Sequence, residues 1–200
     1  MKRFACSLSF FAAGLFLLLS ANKNWLLLFW LAAVLHELGH LLALYLLGGR
    51  VERFCFRLTG AELQYSGTRI SYGGEVLLAL AGPGVNLILA GLCVWAVGRW
   101  PTDWLYRFAG CHLVLAFFNL IPALPLDGGR VLRTLLELRF PMEGEHLADL
   151  ISLGAGVLLT LLGLGLLFHG GNPTLFSAGS LILLRSIRKN PLHLRRKLLK

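Results

Sequence analysis

Charge is what this 200-residue sequence most lacks: Asp, Glu, Lys and Arg make up only 14% of it, and acidic residues number 10. So few charges leave too little polar surface to cover a water-soluble globule, and 56% of the residues are hydrophobic. A disordered chain and an ordinary cytosolic enzyme are excluded. Cysteine is also sparse, and Cys6, Cys55, Cys93 and Cys111 show no paired spacing. That excludes a disulfide-rich secreted scaffold and argues against a cysteine zinc site, leaving the thiols as small apolar packing groups. The sequence therefore predicts an all-α polytopic membrane protein.

The net charge of +9 raises the question of nucleic acid. Its distribution answers it: basic residues lie between apolar blocks and in a tail that begins at Arg185, where they mark topology and contact with anionic lipid. No nucleic-acid partner is expected.

About six transmembrane helices are expected. The first, 4–21, follows Lys2 and Arg3; it also has the form of a signal peptide, but the spans that follow favour a retained helix. The second covers 25–47 and is broken only by His36, Glu37 and His40. Residues 50–75 alternate, with Phe54, Phe56 and Leu58 around Cys55 and Arg57, and predict short β-strands at the cytoplasmic membrane surface. A third span covers 76–98. A fourth, 105–121, is stopped by Pro122 and Pro125. Residues 130–140 suit a short interfacial helix. In 150–184, His169-Gly170-Gly171-Asn172-Pro173 divides a fifth span from a shorter sixth. Residues 1–190 are expected to be one membrane domain and 191–200 a basic cytoplasmic tail.

Six spans put both termini on one side. With that side cytoplasmic, 16 of the 19 Lys and Arg residues lie inside and only Lys23, Arg99 and Arg107 outside. The His36/His40 end of span two and the end of span four then face the cytoplasm.

His36-Glu37-Leu38-Gly39-His40 carries the chemistry. Histidines at i and i+4 share a helix face, where both can bind one zinc ion. Glu37 follows the first directly and can act as a general base toward a metal-bound water. Composition alone predicts roughly 0.006 such motifs in this chain. Three polar side chains paired for packing would be the bland alternative, but ionisable groups within a span are costly and usually functional.

A third ligand is then needed. Asp127, in Asn119-Leu120-Ile121-Pro122-Ala123-Leu124-Pro125-Leu126-Asp127-Gly128-Gly129-Arg130, falls where two prolines break a span. It can turn toward the bundle as a ligand or form a surface Asp-Gly turn; spacing leaves both open. His112 and His169 lie toward the other side, while His146 and Asp149 begin span five.

HELGH followed by Asn119-x-x-Pro122-x-x-x-Leu126-Asp127-Gly128 resembles the site-2 protease family of intramembrane zinc metalloproteases, as does Gly82-Pro83-Gly84-Val85-Asn86 between them. The resemblance covers about 25–140. It implies one zinc ion held by His36, His40 and Asp127, with Glu37 as catalytic acid/base and cleavage of a membrane-embedded regulatory substrate. It also implies inhibitory membrane partners. Asn119 matches the family's second motif and could donate to the oxyanion or hold the substrate, or could simply cap the broken helix. Asn86 could serve the site or allow tight helix packing. His112, two turns before Asn119, reads as a satisfied bundle histidine rather than part of a proton path.

The compact form resembles the stage IV sporulation protein FB group, in which the enzyme releases a sigma-factor precursor in the mother cell of sporulating bacteria. That group commonly carries a nucleotide-sensing domain after the last span, whereas about 15 residues follow Arg185 here. A bacterial cell-membrane location is expected. Two rivals share the sequence: a membrane zinc transporter built on the same His/Glu/Asp cluster, and an inactive scaffold. The complete set of His36, Glu37, His40 and Asp127 argues against the scaffold.

Overall fold

The computed structural model describes residues 3–6, 23–57, 60–66, 70–171 and 173–198, and the chain divides into two compact units, Met1–Leu120 and Ile121–Lys200.

In the first unit, helix α1 (Lys23–Leu46) packs on α2 (Tyr72–Val97) and α3 (Asp103–Asn119), and α2 packs on α3. Glycine sets how closely α1 and α2 approach. A Cβ on Gly39 would lie 2.8 Å from the Ala81 carbonyl oxygen and 2.9 Å from Val85 Cγ2. Many buried positions are small or polar, such as Ala32, Ala43, Ala79 and Ala90, while Leu27, Leu31, Val34, Leu38 and Leu42 of α1 point outward. A soluble helix inverts this pattern. Here the large side chains meet lipid and the small ones let helices touch. Two apolar clusters hold the ends: Ala43, Leu44 and Leu78 at one, Cys93, Leu105 and Ala109 at the other.

Local signals explain the helix ends. Ser71 accepts a hydrogen bond from Gly74 N–H at 3.2 Å and caps α2. Gly48, with φ 72°, closes α1, and Gly49 N–H returns to the Leu44 carbonyl. The same unit holds a three-stranded sheet. Strand β1 (Arg3–Cys6) pairs in parallel with β2 (Arg50–Arg57). Strand β3 (Gly60–Ser66) pairs antiparallel with β2, with a register shift between Val51 and Arg53. The expected first span thus opens as a strand, and its remainder, 7–21, lies outside the described residues.

In the second unit, α4 (Asp127–Arg139) packs on α5 (Gly144–Phe168), which forms a hairpin with α6 (Thr174–Leu198). The turn falls where the glycines predict it: Gly170 has φ 75°, and Gly171 N–H bonds to the Leu166 carbonyl at 2.8 Å. Gly163 abuts the Phe176 backbone, and a Cβ on Gly179 would lie 2.6 Å from Thr160 N. Helix α6 continues through Leu198, so the basic segment expected as a separate tail begins inside a helix.

Among the described residues, three helical stretches are long and apolar enough to cross a membrane: Leu27–Leu46, Tyr72–Val97 and Gly144–Phe168. The chain is therefore helical and polytopic. Helix α3, at 17 residues, rises about 26 Å, just short of a ~30 Å hydrocarbon core, and the apolar part of α6 ends at Ile187.

Candidate metal centre

His36 and His40 lie one turn apart on α1, each 4% exposed. Their rings meet edge to face, 4.8 Å between centroids, with the two Nε2 atoms 3.2 Å apart. The 3.6-residue helical period puts both on the face that meets α2.

Partners on the other helices fix the rings. His40 Nδ1 donates to the Leu78 carbonyl at 2.8 Å, which makes Nε2 the nitrogen that carries the lone pair. This is the arrangement a metal-binding imidazole needs, with its second nitrogen held by a hydrogen-bond acceptor. Asn86, fully buried on α2, lies with Nδ2 3.0 Å from His36 Nδ1 and Oδ1 3.0 Å from His112 Nδ1. Asn86 therefore bridges a histidine of α1 to one of α3. The sequence left Asn86 open between packing and a site role; its amide is spent on two histidines. His112, expected to be satisfied, is half so: among the described residues its Nε2 has no hydrogen-bond partner, although the side chain is fully buried.

The Leu78 hydrogen bond suits a metal ion at His40, and the space beside both rings does too. Gly82 abuts His40 Nε2, and a Cβ there would lie 2.7 Å from His36 Nε2. Any larger residue would fill the place in front of both ring nitrogens. Glu37, next in sequence, is half-buried on the flank of the same turn.

Asn119 is half-buried at the end of α3, and its Nδ2 donates to the Leu115 carbonyl at 2.9 Å. One amide hydrogen is thereby turned back on its own helix.

In the second unit, Asp127 is the first residue of α4 and is 7% exposed. A carboxylate at a helix N-terminus is favoured by the exposed N–H groups and the helix dipole. Arg130, one turn on, places Nη1 3.6 Å from Asp127 Oδ1. The segment before it follows a fixed course. Ala123 is fully buried, and Gly129 abuts the Ala123 and Leu124 backbone, where a side chain would not fit. Ser152 of α5 accepts from Leu124 N–H at 3.0 Å and donates to the Ala148 carbonyl at 2.7 Å. Ser152 thus ties the proline segment to α5. Sequence reasoning missed it, since a lone serine in an apolar run looks like ordinary helix packing.

Midway along α4, Arg133 Nε donates to Glu137 Oε1 at 2.6 Å, and its Nη2 lies 3.0 Å from Glu145 Oε1 of α5. Burial pushes the guanidinium toward losing its proton, but the Glu137 hydrogen bond and the charges of Glu137, Glu145 and Asp149 outweigh it and raise the pKa above its ordinary value. This grip holds α4 against α5. His36, His40 and Asp127 are each buried and each offers an atom able to bind a metal.

Comparison with known proteins adds a family and a fold. The model of peptidase family M50 matches residues 98–163. A zinc metalloprotease of Methanocaldococcus jannaschii is 31% identical over 145 residues, covering 69% of this chain and 42% of its own length. Stage IV sporulation protein FB of Bacillus subtilis is 30% identical over 140 residues, covering 66% of this chain and 47% of its own. The chain thus spans less than half the length of these curated relatives. Among solved structures, the site-2 protease from Methanocaldococcus jannaschii has the same fold, with a TM-score of 0.71 at 24% identity over 94% of this chain and 90% of that one. Sequence relatives, motif spacing and fold agree, and residues 98–163 carry the match to peptidase family M50 within the fold of a site-2 protease.

Proposed function

We propose that the chain is an intramembrane zinc metalloprotease that hydrolyses a peptide bond in or near a transmembrane segment of a membrane-associated regulatory protein. The observation that carries this reading is the buried pair His36 and His40, with Nε2 atoms 3.2 Å apart, Leu78 and Asn86 behind them and glycine in front. Names of relatives support zinc as the metal.

In this reading His36 and His40 supply two ring nitrogens, and Asp127 supplies the third protein ligand. Zinc, when bound, acidifies a water and polarises the scissile carbonyl. Glu37 takes a proton from the attacking water and delivers it to the leaving amine. Asn119 keeps one amide hydrogen for the developing oxyanion, the other being directed to Leu115. Substrate must arrive unwound, because helical carbonyls are already hydrogen-bonded. The β2–β3 ribbon lies between α1 and α2 in sequence and is suited to pair with an extended segment.

In this reading 1–190 is one catalytic domain, followed by the basic segment 191–200. The 16-to-3 split of Lys and Arg supports cytoplasmic termini in a bacterial membrane, with 105–121 among the spans. A sigma-factor precursor is the substrate class suggested by the sporulation relative. Inhibitory membrane proteins would restrain the enzyme.

The test pairs zinc content with cleavage of such a precursor for wild type and Glu37→Gln. Zinc retained with cleavage abolished supports the protease. Equal cleavage by both proteins removes Glu37 from the mechanism. Loss of zinc moves Glu37 into the ligand set, as a transporter would use it.

A further inference from the structure

The hydrogen bonds around His36 have a direction, and that direction matters to a metal. With Asn86 Nδ2 donating to His36 Nδ1 at 3.0 Å, His36 keeps its proton on Nε2. That Nε2–H then donates to His40 Nε2 at 3.2 Å, and His40 Nδ1–H donates to Leu78. At the other end His112 Nδ1–H donates to Asn86 Oδ1 at 3.0 Å. These four bonds run the same way, from His112 to Leu78. In this sense His36 Nε2 carries a proton and directs it at the His40 Nε2 lone pair, which is not the sense a shared metal ion requires.

Metal binding at both Nε2 atoms requires the opposite sense at Asn86. His36 must carry its proton on Nδ1 and give it to an acceptor. A half-turn of the Asn86 amide provides one: Oδ1 now accepts from His36 Nδ1–H, and Nδ2 donates to His112 Nδ1. The same atomic positions serve both senses, because the turn exchanges oxygen for nitrogen. His36 moves its proton from Nε2 to Nδ1, and His112 moves its own from Nδ1 to Nε2. No proton is gained or lost overall. The His112 nitrogen that receives the proton is the one with no partner among the described residues.

Resting on the zinc reading above, we propose that Asn86 and His112 are positioning residues that set the tautomer of His36. Asn86 acts directly and His112 acts through it, by deciding which end of the amide faces His36. Neither touches substrate. The amide is buried between two histidines, and each of them can either give or accept a proton, so the pair behaves as a two-position latch. One position closes His36 on His40; the other opens both to a metal ion.

The test is zinc affinity, measured by chelator competition on the full-length protein in detergent, for Asn86→Asp, Asn86→Leu, His112→Phe and the Asn86→Asp/His112→Phe pair. A carboxylate at position 86 has no wrong end and should hold His36 in the metal-binding tautomer, so Asn86→Asp should bind zinc at least as well as wild type. Asn86→Leu should lose about 10–100-fold. His112→Phe should weaken zinc several-fold in the otherwise wild-type protein. In the Asn86→Asp background the same change should leave affinity unchanged, because the carboxylate does not need its sense fixed. A purely structural histidine would cost the same in both backgrounds, and that result would overturn the proposal. If Asn86→Leu does not fold, the comparison of His112→Phe in the two backgrounds still decides. Labelled-histidine ¹⁵N spectra give a second readout: zinc should shift the proton of His112 to Nε2, and an unchanged His112 signal also overturns the latch. Failure of the underlying zinc reading looks different: His36→Ala would then retain wild-type zinc content.

Discussion

The three helices of the first unit and the α5–α6 hairpin of the second solve the same packing problem by opposite means. Between α5 and α6 the contact is backbone against backbone, with Gly163 on Phe176 and Gly179 on Thr160. The polar groups there point home: Thr160 Oγ1 donates to the Gly156 carbonyl and Ser180 Oγ to the Phe176 carbonyl, each within its own helix. Between α1, α2 and α3, polar side chains cross from helix to helix, His36 to Asn86 to His112. Small residues suffice to bring helices together in lipid. A directional chain of three buried polar groups is more than packing requires, and it leaves His112 Nε2 without a partner among the described residues. The difference separates a part built for shape from the part that carries the candidate metal-binding histidines.

The sharpest way to break the comparison is Gly82→Ala. The added methyl occupies the place before both ring nitrogens, so zinc content should fall to background and cleavage with it, while helicity is kept. Zinc analysis beside circular dichroism checks both. The mirror change is Gly163→Val. Forcing a branched side chain against the Phe176 backbone should destabilise the hairpin by about 1–3 kcal/mol or more and lower thermal stability in detergent. Protein that remains folded should keep its zinc. If Gly163→Val lost zinc as completely as Gly82→Ala, the two regions would not be separable.

Ser152→Ala sharpens the boundary between them. It removes the acceptor of Leu124 N–H and should cost about 1–3 kcal/mol. Cleavage should fall more than stability does, since the freed segment leads to Asp127; a thermal melt and an activity assay on the same sample give the ratio. The smallest effect is expected at Arg133, which is 36% exposed. Arg133→Met should cost at most ~1 kcal/mol, read as a small shift in melting temperature that shrinks in salt. Because its pKa is raised, whatever stability its charge gives is complete below its ordinary value and lost only above the raised one. Across the neutral range Arg133 should add no pH dependence to the melt.

Much of the site is legible in the amino-acid sequence. HELGH places two histidines on one face because four residues make about one helical turn. The hairpin break at His169–Pro173 follows from glycine and proline chemistry, which is local; the helix expected over 130–140 begins earlier, at Asp127. What is not legible is long-range or degenerate. Asn86 meets His36 across 50 residues and His112 across 26, and no spacing rule predicts which polar side chains of two helices will meet. Ser152 holds a loop 28 residues away for the same reason. Arg3–Cys6 misleads differently: four residues of Arg, Phe, Ala and Cys look alike at the start of a span and in a strand, and the pairing with Arg53–Phe56 decides between them.

The two middle letters of HELGH are answerable to different neighbours. Leu38 is 51% exposed and faces outward, so any residue that lipid accepts will serve. Gly39 is wedged against Ala81 and Val85, so nothing else will. As an alphabet, the motif in this chain has one free position rather than two, and its fourth letter is dictated by a helix that begins more than thirty residues later. A search pattern that leaves both letters blank would discard a constraint as firm as that on the histidines.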